Sequence, residues 1–283
     1  MKLIFFLSLF VVMPLWACDK QARDPSRIAV AGGSITEILY FLGEESRIVA
    51  VDITSNFPEA ATSLPSIGYV RNLSAEGTLS LNPTLVLGED DMGPQEILDQ
   101  LKATNIEVVR IPESHSSDGI IEKVYCVGTI IGLDKKKLDL VVAPMRRKAQ
   151  ILASAMRDDA PKVALLLSIR DGVPTAAGIG TSGHGVLEMS GAKNVFDVFS
   201  GWKPISLESM ATSNPEFIVI PERGMQMAGG MDAVFDHPAV KVTEAGQKGN
   251  ILSVDGMSLL GFGPRTLDTA VTIAQAIGII EED

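Results

Sequence analysis

The chain has 283 residues, of which 46% are hydrophobic and 21% are charged, so it is long and apolar enough to form two folded α/β domains. It carries 24 basic and 35 acidic residues, which gives a formal net charge of −11 at pH 7. This acidic balance argues against nucleic acid as a partner.

The first residues predict a cleaved export signal. Lys2 precedes an apolar run, residues 3–16, which is short for a membrane span and typical of a signal-peptide h-region. The run leads into Leu-Trp-Ala-Cys at residues 15–18, which resembles a lipobox, whose cysteine thiol takes a diacylglyceryl group before cleavage. We expect removal of residues 1–17 and a lipid anchor on Cys18. An ordinary signal followed by an incidental cysteine is the alternative.

Two neighbouring features refine this expectation. In enteric-type Gram-negative bacteria, an aspartate placed like Asp19 resembles an inner-membrane retention signal, which predicts the periplasmic side of the cytoplasmic membrane. The second cysteine, Cys126, lies in an apolar helical stretch and has no partner if Cys18 is acylated. We therefore predict no disulfide, and a buried inert thiol at Cys126 rather than a nucleophile.

Strand and helix signals alternate after a polar tether at residues 18–26. Residues 27–52 predict a strand, a glycine turn, a helix and a second strand. Further strands at 84–88 and 106–111 flank a helix at 94–105. Such alternation is typical of a parallel sheet with helices on both faces.

The middle of the chain has no strand signal. One helix covers residues 119–133, and Asp134 is expected to cap a second helix that Pro144 perturbs. Strands resume at 162–169, and the last helix is predicted over 266–280.

The expected fold class is α/β, with two Rossmann-like lobes whose central sheets are mostly parallel and which one long helix joins. The predicted domains are an N-terminal lobe at 27–117, a helical segment at 118–158 that includes the linker helix, and a C-terminal lobe at 159–283.

An internal repeat supports the two lobes. Residues 32–43 align without gaps on 180–191, and residues 68–87 align on 201–220. In the second pair an Asn-Pro dipeptide occupies the same place in both copies. We infer a duplicated lobe with pseudo-twofold symmetry. The loops at the carboxyl ends of the strands are expected to line a cleft between the lobes.

The phrases GYVRNLSAEGTLSLNPTLVL (68–87) and LLGFGPRTLDTA (259–270) resemble the helix-hinged, class III periplasmic binding proteins of haem, cobalamin and siderophore importers. They are most similar to the haem subgroup, and the resemblance covers nearly all of residues 27–283. It implies a monomeric, extracytoplasmic protein that captures haem and delivers it to an ABC permease dimer with its ATPase, in iron acquisition.

The resemblance also implies iron ligands. Tyr69 would ligate ferric haem iron, because a phenolate is a hard anionic ligand, and Arg71 is the nearby cation that favours the phenolate. A loop aromatic packed under the sheet edge is the alternative for Tyr69. The repeat places His184 on the first turn of the second lobe's leading helix. There it either completes the axial coordination or contacts only water or a propionate.

Further haem contacts follow from the same resemblance. Arg71 and Arg265 are candidates for the two propionates, since guanidinium groups pair well with carboxylates. A purely structural role for Arg265 is the alternative. Met225 and Met227 are candidates for soft contacts with the porphyrin face, or else are ordinary loop residues.

Glu76 and Glu208 occupy matching positions in the repeat. In the family each lobe presents an acidic residue to one permease subunit, so this pair is expected to dock the protein on a dimeric permease. Helix capping beside Ser74 and Ser206 is the alternative, and it is compatible with docking.

Two other functions compete with haem delivery. A cobalamin or ferric-siderophore binder would share the fold. An enzyme is disfavoured, because the chain lacks a G-x-S-x-G elbow, a phosphate loop and a Cys/His pair. His115 and His237 are expected at the surface, and no residue cluster predicts a metal other than haem iron.

Overall fold

The computed structural model describes Cys18 and residues 20–281, which form two α/β lobes joined by helices. The predicted signal peptide and Asp19 lie outside the described residues. Within the described part of the chain, no helix is both long and apolar enough to cross a bilayer.

The N-terminal lobe contains a four-stranded parallel sheet in the order β2-β1-β5-β6, and the first strand is buried along its whole length. A two-residue hairpin, β3–β4, lies apart from this sheet. The elements of the lobe are β1 (Ile28–Ala31), α1 (Gly33–Phe41), β2 (Ile48–Val51), β3 (Gly68–Tyr69), β4 (Asn72–Leu73), α2 (Ala75–Ser80), β5 (Leu85–Glu89), α3 (Gln95–Ala103) and β6 (Glu107–Ile111).

Two helices connect the lobes, namely α4 (Ser117–Ile130) and α5 (Lys135–Ser154). Asp134 caps α5 as predicted, since its side chain accepts a hydrogen bond from the backbone N–H of Lys136. The helix continues through Pro144 and makes up most of the connection between the lobes.

The C-terminal lobe has a six-stranded sheet in the order β10-β8-β7-β11-β12, with β9 beside β7. Strands β8 and β10 are antiparallel and were not predicted, whereas the other pairs are parallel. The elements are β7 (Lys162–Arg170), β8 (Val173–Ala177), α6 (Ser182–Met189), β9 (Lys193–Asn194), β10 (Trp202–Pro204), α7 (Leu207–Ser213), β11 (Phe217–Pro221), α8 (Glu222–Met227), α9 (Met231–Asp236), α10 (Pro238–Lys241), α11 (Glu244–Lys248), β12 (Ile251–Val254), α12 (Gly256–Leu260) and α13 (Pro264–Ala276). The predicted α/β fold with two lobes joined by a long helix is therefore confirmed.

The sequence repeat reappears in the backbone. Gly43 and Gly191, which follow the leading helices α1 and α6, have φ of 73° and 74°. The residues before the two matching prolines, Asn82 and Asn214, both adopt left-handed conformations with φ of 47° and 39°. Asparagine tolerates this region better than most residues do, which explains its recurrence at this position.

One apolar core extends through both lobes. Buried side chains of α1, β7 and α13, among them Ile38, Leu165 and Leu267, belong to the same cluster. Because α13 packs against α1, α4 and α5, the C-terminal helix returns to the first lobe. The lobes therefore share a core instead of meeting only at a hinge.

A polar contact at this junction involves Arg265. Its Nε lies 2.8 Å from Glu37 Oε2, and its backbone N–H donates to Glu37 Oε1 at 2.7 Å. Its guanidinium also bonds Asp255 and lies 3.5 Å from the centroid of the Phe57 ring. Burial raises the pKa of the Glu37 carboxyl, and the ion pair with Arg265 opposes that effect.

The expected tether is instead packed on the first lobe. Ala22 is buried, and its N–H donates to the carbonyl of Ile130 at the end of α4. This contact brings the Cα atoms of Cys18 and Cys126 to 4.7 Å, and the two residues form a disulfide. The prediction of no disulfide, with a free thiol at Cys126, is therefore wrong for this structure, because it rested on acylation of Cys18, which excludes the bond.

Candidate functional site

A cavity of about 510 Å³ lies between the lobes, at the loops that follow the strands. In parallel α/β sheets, ligands bind at this edge. The lining residues come from both lobes: Thr54, Tyr69, Val70, Arg71, Glu89, Asp90, Asp91, Glu113 and His115 from the first, and Gly180, Thr181, Ser182, Gly201, Trp202, Met257, Leu260 and Gly261 from the second.

Tyr69 lines this cavity, and the guanidinium of Arg71 contacts its phenolic oxygen. The β3–β4 hairpin holds Tyr69 and Arg71 two residues apart, and Arg71 Nη1 donates to Tyr69 Oη at 2.9 Å. Asp91 fixes the same guanidinium through Nε at 2.6 Å and Nη2 at 2.5 Å. A guanidinium that donates to a phenolic oxygen stabilises negative charge on that oxygen. The hairpin therefore presents an oxygen ligand suited to a hard metal ion.

Trp202 is the equivalent of Tyr69 in the second lobe and lines the same cavity. The indole lies so close to α6 that a Cβ on Gly183 would come within 2.8 Å of it. Glycine at this position therefore lets the indole pack against the helix. Trp202 aligns with Tyr69 in the sequence repeat of residues 68–87 and 201–220, and that alignment was the signal that could have identified it as a cleft residue.

The floor of the cavity carries a charged cluster that is backed by the buried Lys123. Glu89, the last residue of β5, accepts hydrogen bonds from Ser34 Oγ at 2.6 Å and from Ser34 N–H at 3.3 Å. Lys123 Nζ lies 2.8 Å from Glu113 Oε1 and 3.3 Å from Ser34 Oγ. Burial raises the pKa of Glu89 to about 7, Lys123 lowers it and Glu113 raises it. Glu89 therefore changes charge near neutral pH.

His115 also lines the cavity, which corrects its predicted place at the surface. Its ring lies 4.7 Å from the ring of Phe262 in the second lobe, centroid to centroid. The backbone approaches the second lobe so closely that a Cβ on Gly185 would lie 2.5 Å from the His115 carbonyl oxygen. Desolvation by burial lowers the pKa of His115, so the ring is neutral at neutral pH.

The other two histidines make different contacts. His184 does not line the cavity. Its Nδ1 lies 3.1 Å from Asn194 Nδ2, and its Nε2 lies 3.4 Å from Glu188 Oε1. His237 caps α10 and has its Nε2 3.0 Å from the carbonyl oxygen of Gly172.

Three further predicted contacts lie outside the cavity lining. Arg265 is held by Glu37 and Asp255 at the junction of the lobes, which favours its structural alternative. Met225 packs against the core of the second lobe, and Met227 is 45% exposed on α8. The structure therefore brings together Tyr69 and Arg71 but not the rest of the predicted haem contacts.

Glu76 and Glu208 occupy matching exposed positions in the two lobes. Each lies in the first turn of a short helix, α2 or α7. The caps of these helices are Ser74 and Ser206, whose side chains accept hydrogen bonds from backbone N–H groups. Because the serines do the capping, the glutamate carboxylates remain at the surface.

The charges of the cavity lining are mostly negative. Four carboxylates line it, whereas its one arginine, Arg71, is already bound to Asp91. Lys123 lies behind the floor, where it bonds Glu113. The cavity therefore offers a phenolic oxygen, an aromatic wall and many hydrogen-bond acceptors.

The raised pKa of Glu89 predicts a pH dependence of folding stability. A carboxyl whose pKa is higher in the folded than in the unfolded protein stabilises the fold at low pH. This contribution falls as the pH rises through the interval from the ordinary glutamate value to about 7. For Glu89 the loss is about 3 kcal/mol. Urea unfolding at pH 5 and pH 8 is expected to show a smaller decrease in Glu89→Gln than in the original chain. If the free energy of unfolding falls equally in both proteins, the raised pKa of Glu89 is contradicted.

The chain matches the family model described as periplasmic binding protein over residues 28–256. Among solved structures it is similar to the periplasmic heme-binding protein RhuT of Roseiflexus sp. RS-1, at 31% identity and a TM-score of 0.81, covering 90% of this chain and 98% of that one.

Two curated relatives extend the comparison. The uncharacterized ABC transporter substrate-binding lipoprotein YvrC of Bacillus subtilis (strain 168) is 24% identical over 90% of this chain and 81% of its own length. The vitamin B12-binding protein of Yersinia pseudotuberculosis serotype O:1b (strain IP 31758) is 26% identical over 74% of each chain. With its two-lobed fold and interlobe cleft, the chain belongs to the periplasmic binding protein family, whose members are extracytoplasmic substrate-binding proteins of ABC transporters and not enzymes.

Proposed function

We propose that this protein captures haem in the interlobe cleft and delivers it to an ABC permease dimer driven by its ATPase. The observation that carries the proposal is the contact between Arg71 and the phenolic oxygen of Tyr69 inside the cavity. Tyrosine is a known axial haem ligand, and its phenolate is a hard donor for ferric iron. Trp202 provides an aromatic surface for the porphyrin.

The likeness to a heme-binding protein at 31% identity supports this proposal. In this reading Tyr69 is the iron ligand, and Arg71 both supports its phenolate and is the candidate contact for a propionate. The carboxylates of the cavity repel propionates, so we expect the propionate edge to point toward solvent.

Cobalamin is the second candidate ligand. A corrinoid carries amide side chains, whose N–H groups are donors for the carboxylates that line the cavity. The likeness to a vitamin B12-binding protein favours the same reading. The two ligands are distinguished by whether the phenolic oxygen of Tyr69 binds iron.

Hemin titration of Tyr69→Phe tests the haem proposal. The original chain is expected to give a shifted Soret band and a tyrosinate-to-iron charge-transfer band. Tyr69→Phe is expected to lose the charge-transfer band and about tenfold or more in affinity, because one charged contact is removed. Tyr125→Phe, on α4, is the matched control and should behave like the original chain.

Two results would refute the haem proposal. The first is no spectral change with hemin together with tight binding of cobalamin or a ferric siderophore. The second is a charge-transfer band that survives in Tyr69→Phe.

We further propose that Glu76 and Glu208 dock the protein on the two permease subunits. The pair is exposed, repeated in both lobes and not needed for capping, as expected for a contact with a symmetric dimer. The double variant Glu76→Ala with Glu208→Ala is expected to lose most ligand uptake and to keep its ligand affinity.

Glu96→Ala with Glu222→Ala is the control for docking, because it also removes one exposed glutamate from each lobe. Uptake assays should distinguish the two double variants. Equal loss of uptake in both, or loss of ligand binding in the first, would contradict the docking role.

We also propose that the exported chain is acylated on Cys18, as the leader predicts. YvrC, similar over most of this chain, is named a lipoprotein. One sulfur cannot carry both a thioether and the disulfide to Cys126, so the two states exclude each other. Intact mass analysis of exported protein is expected to show a diacylglyceryl group, and Cys126 should be alkylated under denaturing conditions without reductant. An unacylated protein with both cysteines blocked would refute acylation.

A further inference from the structure

The long connecting helix α5 bears an exposed stripe that neither the ligand nor permease docking uses. Lys136, Leu140, Pro144, Arg147 and Ile151 are all exposed and follow one another at spacings of three or four residues. This spacing places them on one face of a helix. Leu140 is 76% exposed and Ile151 is 49% exposed, so the stripe combines two basic and three apolar side chains.

The charge of α5 is opposite to that of the chain as a whole. The helix contains six basic residues and one acidic residue, although the whole chain has a net charge of −11. Lys135, Lys137 and Lys148 form ion pairs with nearby carboxylates. Within the described residues Lys136 and Arg147 have no such partner, and both lie on the stripe.

The N-terminal segment ends beside this helix. Ala22 bonds the carbonyl of Ile130 at the end of α4, and α5 begins after a four-residue loop. Cys18 precedes Ala22 by four residues along the chain. Thus, if Cys18 carries the lipid proposed above instead of the disulfide, Ala22 still holds the membrane attachment near the basic first turn of α5.

We propose that the α5 stripe rests on an anionic lipid bilayer. Lysine and arginine on flexible stems are attracted to anionic headgroups, and the intervening leucine and isoleucine enter the interface. A fluid surface of uniform charge matches a stripe without a groove, and the lipid repels the acidic remainder of the protein until the protein docks on the permease. The inference is independent of which ligand the cleft binds.

Vesicle binding tests the stripe. The chain from residue 18, which contains the whole described fold, is prepared with Cys18→Ser so that no acyl chain contributes. It is expected to sediment with vesicles of phosphatidylglycerol and phosphatidylethanolamine, less so at high salt, and not with phosphatidylcholine vesicles. In this background Lys136→Gln and Arg147→Gln are each expected to lower partitioning about fivefold.

The control removes two positive charges from a different part of the protein. Lys193→Gln with Arg223→Gln changes two exposed basic residues of the second lobe and should keep the original partitioning. Leu140→Ser should weaken binding without abolishing its salt dependence.

Four outcomes would overturn the proposal: no binding to anionic vesicles at low salt, equal binding to phosphatidylcholine, equal loss in the control, or a dimer in solution that Leu140→Ser dissociates. The last result would assign the stripe to a second copy of the chain.

Discussion

The apolar core shared by the two lobes determines how the lobes are arranged and where the cleft between them lies. It runs from α1 through β7 to α13, and at its edge Glu37 accepts two hydrogen bonds from Arg265 in the other lobe. Three residues earlier on α1, Ser34 donates to Glu89 on the floor of the cleft. One short helix therefore contacts both the lobe junction and the binding cavity. Because lobe motion would disrupt this core, we expect only modest closure around a ligand.

The cavity that this core supports combines the phenolic oxygen of Tyr69, the proposed iron ligand, with an acidic lining. The guanidinium of Arg71 contacts the phenolic oxygen of Tyr69, whereas the floor bears Glu89, whose charge changes near neutral pH. Protonation of Glu89 lowers the negative charge of the cavity and so favours an anionic ligand. The acidic lining repels the two carboxylates of haem, whereas it can accept hydrogen bonds from the amide groups of a corrinoid. Both ligands suit the overall fold, so binding of iron by Tyr69 is what distinguishes them.

The sequence predicted those features that depend on local pattern. The βα alternation, the capping residue Asp134 and the repeat with its two Asn-Pro dipeptides can be read from sequence patterns and were found. The antiparallel strands β8 and β10 were not predicted, because both are short and contain a proline, which weakens a strand signal.

Features that depend on distant contacts were not predictable in the same way. Arg265 was a candidate for a propionate, but its partner Glu37 lies 228 residues away along the chain. His115 sits in a polar loop, and no periodicity shows that this loop turns into the cleft. The packing of Ala22 on α4 likewise has no sequence signal, so the contact of Cys18 with Cys126 was missed.

The most direct test of haem binding in the cleft is a crystal structure of the protein with hemin bound. We expect iron to be bonded to the phenolic oxygen of Tyr69 inside the interlobe cavity, with Trp202 at the porphyrin and the lobes little changed in relative position. Iron bound by His184 or His237 without Tyr69, or hemin located outside the cleft, would contradict the haem proposal.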